Sequence, residues 1–234
     1  MIHNMKKIFA VAVICAVSAM MLASCDKKTS EGSQPSGISK SDIDSVSYMI
    51  GYSTGMQIQQ SNFGPLSTNA IIKGIIDAGK GVEIDYAVFQ KVVNGFMDKR
   101  MEAISAENIT RSEKMLAANA KKADVVTTES GLQYKIVREG TGVKPTERDT
   151  VEVNYEGTNL DGKVFDSSYE RGTTVTFPLN GVIRGWTEGM QYVGEGGEIM
   201  LWIPAELAYG DRSVSAEIGP NEALTFKVEL VAVK

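Results

Sequence analysis

Histidine is nearly absent from this chain: His3 is the only one, and Cys15 and Cys25 are the only cysteines in 234 residues. The charged start Met5-Lys6-Lys7, the apolar run Ile8 to Leu22 and the small pair Ala23-Ser24 read as a secretory signal. The apolar run is too short and too briefly flanked to cross a membrane as a helix. Removal of residues 1–24 takes away His3 and Cys15, and with them much chemistry. No serine or cysteine nucleophile activated by imidazole can be built, no histidine can ligate a metal, and a single remaining cysteine forms no disulfide within the chain. The fold must therefore rest on its core. The same cut removes Lys6 and Lys7 from the 24 basic side chains, leaving 22 against 29 acidic ones and a formal charge of −7. An acidic balance without clusters of Lys and Arg argues against nucleic acid as a partner.

What is present begins with Leu22-Ala23-Ser24-Cys25, which resembles the bacterial lipobox. The resemblance implies that Cys25 becomes the lipidated first residue of a chain anchored to a membrane and otherwise soluble. The other reading is an ordinary cleavage site beside an incidental cysteine. Residues 26–40 hold Lys, Ser, Gly and Gln with Pro35 and no periodic apolar positions, so residues 25–40 are expected to form a flexible tether.

Over residues 41–123 the apolar spacing is helical. Ile43, Val46 and Ile50 share a face of a first helix, with Ser41 or Asp42 as its expected cap. Ser47, Gly51 and Gly55 recur every four residues on that helix, a stripe that costs helix propensity unless another backbone approaches it. Thr68 is the expected cap of a second helix with Ile71, Ile72, Ile75 and Ile76, closed by Gly79 and Gly81. A third starts near Asp85 and carries Phe89, Val92, Val93, Phe96, Met97, Met101 and Ile104. Beyond these it becomes rich in charge and alanine up to Lys122, the pattern of an exposed stalk. Three such helices make a thin core, which a homodimer through these helices would complete; a monomeric bundle is the alternative.

Near Thr127 the period changes from helical to alternating. Val151, Val153 and Tyr155 alternate, as do Ile199, Leu201 and Ile203 before Pro204. Leu224, Phe226, Val228 and Leu230 mark one face of a last strand, with Thr225, Lys227 and Glu229 on the other. One wet face and one dry face is the antiparallel pattern. Only Gly185 to about Tyr192 reads as a short helix here. The class is α+β: helices first, then over residues 124–234 a twisted antiparallel sheet wrapped on one short helix.

Four strings in this half bear on function: Val153-Asn154-Tyr155-Glu156-Gly157, Asp161-Gly162-Lys163-Val164-Phe165-Asp166-Ser167-Ser168, Val182-Ile183-Arg184-Gly185-Trp186 and Ala208-Tyr209-Gly210. Together they resemble the signature of the FKBP-type peptidyl-prolyl isomerases, over roughly Thr128 to Val233. The helical half is similar in layout to Mip-like periplasmic members, in which two helical segments intertwine and a long helix carries each catalytic domain. The resemblance implies Trp186 as the floor of a proline pocket, with Tyr155, Phe165, Val182, Ile183 and Phe226 as walls. It implies a Tyr209 hydroxyl and an Ile183 N–H that hold substrate carbonyls, an Asp166 carboxylate at the rim oriented by Arg171, and Ile218 closing the pocket. By periodicity alone Trp186, Phe165 and Phe226 would be core residues, Tyr209 a turn residue, and Asp166 part of an Asx turn. Val175 stands where many members have a pocket phenylalanine, and Val214 where some have a histidine, which implies a more open rim. No cofactor or metal is implied.

The implied reaction is rotation about the bond preceding proline, opposed by amide resonance worth about 18–20 kcal/mol. Charge separation on the amide falls as it twists, so a site of low dielectric favours the twisted form without acid, base or nucleophile. A site without histidine suits this chemistry. The expected function is a lipid-anchored isomerase of the bacterial cell envelope that helps extracytoplasmic proteins fold. The alternative is a chaperone whose helical arms cradle unfolded chains and whose pocket only binds proline.

Overall fold

The computed structural model describes residues 37–61 and 63–234; the signal segment, Cys25 and most of the tether lie outside them. The chain divides at Gln60 into two units. The first contains helix α1 (Lys40–Gln60), which has no buried residue. Its cap is Ser39, not Ser41 or Asp42. The Ser39 N–H donates to the Asp42 carboxylate at 2.8 Å while the Asp42 N–H donates to Ser39 Oγ at 3.1 Å. The two side chains thus serve each other's backbone donors reciprocally, which moves the helix start ahead of the first apolar residue. Along α1, a Cβ built on Gly51 or Gly55 meets nothing within 4 Å.

The second unit opens with α2 (Thr68–Gly79) and α3 (Tyr86–Asn119). Ser67, one residue before the expected Thr68, caps α2 by accepting from the Ala70 N–H at 3.3 Å. α3 starts where expected, capped by Asp85, whose carboxylate accepts from the Ala87 N–H at 2.7 Å. The 34 residues of α3 extend about 50 Å at 1.5 Å each.

The second half of α3 is not the bare stalk that its composition suggests. Asn108, Ser112 and Asn119 are buried. Asn108 Nδ2 donates to the Pro220 carbonyl at 3.0 Å, Asn221 Nδ2 donates to Ser105 Oγ at 2.7 Å, and the Ala223 N–H donates to Ser112 Oγ at 3.0 Å. Near the end of the helix the Leu116 carbonyl accepts from Gln133 Nε2 at 2.9 Å. Small polar residues on one face of α3 thus satisfy the backbone of residues 220–223. A helix reading misses them because it looks for apolar faces, whereas a loop offers mainly N–H and C=O groups.

Seven antiparallel strands follow: β1 (Val126–Thr127), β2 (Gln133–Arg138), β3 (Thr150–Thr158), β4 (Val164–Ser167), β5 (Val175–Pro178), β6 (Glu198–Ile203) and β7 (Leu224–Val233). Their order is β1-β2-β6-β7-β3-β4, with β5 also paired to β3. Ile199, Leu201, Ile203, Leu224, Val228 and Leu230 have no exposed surface, as the alternation predicts. Two short helices interrupt the strands. One, α4 (Ser168–Arg171), is capped by Ser167 and absent from the sequence reading. Four residues are too few for a periodic signal. The other, α5 (Arg184–Gly189), continues as a 3₁₀ turn through Tyr192. It lies close on β6 because Gly185 and Gly189 face that strand. A Cβ on Gly185 would sit 2.4 Å from Ile203, and one on Gly189 2.5 Å from Leu201. This close seat presents Trp186 to the concave side of the sheet.

Candidate active site

A cavity of about 580 Å³ opens on that side. β3 supplies Tyr155, β4 Phe165 and Asp166, β5 Val175 and Phe177, the approach to α5 Val182 and Ile183, and β7 Phe226. Trp186, only 4% exposed, is its base. Tyr155, Phe177 and Phe226 meet the indole at centroid distances of 5.3 Å, and Phe165 meets Phe226 at 5.6 Å, all edge to face. Edge-to-face packing directs ring hydrogens at the indole face and locks the ring orientations.

The polar groups lie to one side. The Tyr155 hydroxyl and the Arg171 guanidinium both donate to Asp166. Arg171 Nη2 also donates to Tyr155 Oη at 3.0 Å. Burial pushes the Asp166 carboxyl up, but the hydrogen bonds from Tyr155 and Arg171, with the Arg171 charge, outweigh it and hold the group below the ordinary carboxylate value. Burial and then the Asp166 carboxylate raise the Tyr155 phenol above its ordinary value. Burial raises Tyr209 too, helped by the Asp166 charge. Tyr209 makes no hydroxyl hydrogen bond among the described residues and keeps its proton at neutral pH, so a donor is available at the cavity wall. Ile183 opens α5, and its carbonyl accepts from the Trp186 N–H at 2.9 Å. Its own N–H lies outside the helical ladder, as the first amides of a helix do.

Nine of the ten residues expected at the pocket line this cavity: Tyr155, Phe165, Asp166, Val175, Val182, Ile183, Trp186, Tyr209 and Phe226. Ile218 does not. It is 5% exposed and packs within the hydrophobic core, because the Ser213–Glu222 loop folds inward, with the Val214 N–H donating to the Ile218 carbonyl at 3.3 Å. Val214 is exposed and also lies outside the lining. The sequence reading missed Phe177, Gly181, Arg184, Ala208 and Arg212 as lining residues. Phe177 had a readable signal, since it stands two residues after Val175 on the same face of β5, where its ring meets Trp186. Among the described residues no cluster of acidic, Cys or His side chains is placed to hold a metal ion.

Residues 141–231 match the model of the FKBP-type peptidyl-prolyl cis-trans isomerases, and residues 43–136 match that of the domain amino-terminal to such isomerases. The chain is 37% identical to the FKBP-type peptidyl-prolyl cis-trans isomerase FkpA of Aeromonas hydrophila, over 98% of this chain and 96% of that one. It belongs to the FKBP-type isomerases. The isomerase is also 39% identical to the outer membrane protein MIP of Legionella longbeachae, over 82% of this chain and 86% of the relative. The crystal structure of FkpA from Escherichia coli superposes with a TM-score of 0.70 at 37% identity, covering 84% of this chain and 99% of that one. The isomerase therefore acts on proline-containing polypeptides. An aromatic cavity on a buried indole matches a reaction that needs a change of dielectric and not a proton transfer.

Proposed function

We propose that the cavity on Trp186 is where the isomerase binds and twists the bond before proline. The nearly complete burial of Trp186 under three rings carries this reading, because it makes a flat apolar seat of low dielectric. Phe165, Val175, Val182 and Phe226 wall the ring in. The Tyr209 hydroxyl and Ile183 N–H hold carbonyls of the flanking residues, and the Asp166 carboxylate, steadied by Tyr155 and Arg171, sets the field at the rim. Tyr209→Phe should lower kcat/KM for a short proline peptide about two- to tenfold through loss of one hydrogen bond of about 0.5–1.5 kcal/mol, with unfolding unchanged. Full activity in the phenylalanine variant would remove Tyr209 from the site.

We further propose that residues 124–234 catalyse, that residues 41–123 pair two copies, and that Cys25 carries a lipid holding the dimer at the bacterial cell envelope. The Mip relative bears the name of an outer membrane protein, which supports that location. Among the described residues no helix is long and apolar enough to cross a membrane, so attachment would rest on the lipid. Val46, Ile50, Ile75 and Val92 are each more than half exposed in the single chain, which favours a partner over a monomeric bundle. A Cys25→Ala chain is expected in the soluble fraction as a dimer at micromolar concentration. Unchanged membrane fractionation with normal processing would exclude the anchor, and sedimentation as a monomer would exclude the pairing. The same exposed residues would also suit a cradle for unfolded chains, a second activity read by suppressed aggregation of a client that lacks proline.

A further inference from the structure

Two arginines stand at the mouth of the cavity, and bond rotation in a dry pocket calls for neither. Arg184 directly follows Ile183 at the start of α5, and Arg212 lies three residues beyond Tyr209, its Nε donating to the Tyr209 carbonyl at 3.4 Å. Both are exposed, and neither forms an ion pair among the described residues. Asp166 is the one acidic side chain in the lining, and Arg171 and Tyr155 already engage it. Asp211, the acidic neighbour of Arg212, is exposed and outside the lining. The mouth thus presents two uncompensated guanidinium groups in a chain whose formal charge is −5.

Arg184 adjoins Ile183 and Arg212 follows Tyr209, and all four residues line the same cavity, so a polypeptide seated on Trp186 would pass within reach of both guanidinium groups. We propose that Arg184 and Arg212 make the isomerase selective for prolines flanked by an acidic residue. The proposal rests on the reading of the cavity given above. Guanidinium is weakly hydrated and presents several donors in a rigid fork, so it engages a carboxylate at low cost even near water. Contacts between exposed charges are each worth about a factor of two to five. Attraction at the mouth acts on the bound ground state and transition state alike, so it belongs in KM.

The test uses tetrapeptides carrying Glu, Gln or Lys immediately before or immediately after proline, with isomerisation by the full chain read by NMR exchange and the uncatalysed rate subtracted. A ratio of kcat/KM for Glu over Gln of about two to five is expected in low salt for the favoured flank, carried by KM, with Lys below Gln. At about 1 M salt, where the screening length is about 3 Å, the ratio should approach one. Arg184→Gln and Arg212→Gln should each reduce it on the flank they face, and the double variant should abolish it; because each ratio is taken within one protein, a general loss of activity does not affect it. A wild-type ratio of one, or a ratio unchanged in the double variant, overturns the proposal while leaving the cavity as the site. Acceleration of the Gln peptide that is unaffected by Tyr209→Phe and Asp166→Ala together overturns the site and the selectivity with it.

Discussion

Trp186→Ala is expected to destabilise the sheet unit by about 3–5 kcal/mol, the range for deleting a buried large aromatic side chain, and to reduce isomerisation to the uncatalysed rate. The indole is 4% exposed and touched edge-on by Tyr155, Phe177 and Phe226, so its removal strips three rings of their common partner. The void cannot collapse easily, since α5 is already seated on β6 as closely as Gly185 and Gly189 allow. Against a typical domain stability of about 5–15 kcal/mol this is a large fraction, and urea unfolding would show it as a lower midpoint with an unchanged slope. Because loss of fold and loss of activity coincide in that variant, Trp186→Phe separates them. It retains an aromatic seat, so it should keep most of the stability and a measurable part of the rate. A destabilisation by alanine under about 1 kcal/mol would show that the indole is not the base of the cavity.

Asp166→Ala should act mainly on the reaction. The carboxylate accepts hydrogen bonds from both the Tyr155 hydroxyl and the Arg171 guanidinium, and its loss frees Tyr155 and adds a third uncompensated guanidinium beside the cavity. Hydrogen bonds to charged groups are worth about 1.5–3 kcal/mol, which corresponds to a fall in kcat/KM of roughly ten- to a hundredfold. The effect on stability should be under about 1 kcal/mol, because the Arg171 and Asp166 side chains are 44% and 41% exposed and water screens the pair. The folded value of Asp166 lies below its ordinary one. Its contribution is therefore complete above the unfolded value of about 3.9 and fades as pH falls through the still lower folded value. Tyr155 and Tyr209 are shifted upward and hold their protons past about pH 10. With no histidine in residues 25–234, kcat/KM should be level from about pH 5 to 9 and decline only in stronger acid. An inflection near pH 6–7 would overturn this assignment, as would an alanine variant with undiminished activity.

Much of the site was legible because its residues also obey strand alternation. Tyr155 and Phe226 sit at regular positions on β3 and β7, and Trp186 follows the turn into α5, so residues chosen by motif agree with places the fold can supply. Ile218 was misplaced because a loop has no period from which to read which way a side chain turns; the bond from the Val214 N–H to its carbonyl helps hold it inward. Arg184 and Arg212 were passed over for a different reason. Isolated arginines are ordinary surface residues in a sequence, and only the convergence of the α5 start and the loop after Tyr209 puts them on one opening.

By itself the sequence determined the class of the protein and its kind of chemistry. Alternating apolar positions specify strands with one buried face, helical spacing specifies the N-terminal region, and the lack of histidine in residues 25–234 excludes imidazole chemistry. Period and composition are local properties, set by side-chain spacing and by which groups exist at all, whereas the pocket and its reaction were legible only through the four strings that resemble the isomerase family. Tertiary structure alone decided that Asn108 and Ser112 bind the backbone of residues 220–223, that Phe177 packs on Trp186, and that Asp166 is ion-paired while Arg184 and Arg212 form no ion pair among the described residues. Each depends on where backbone donors, acceptors and charges from distant segments meet, which the pairing of strands fixes and no local period encodes.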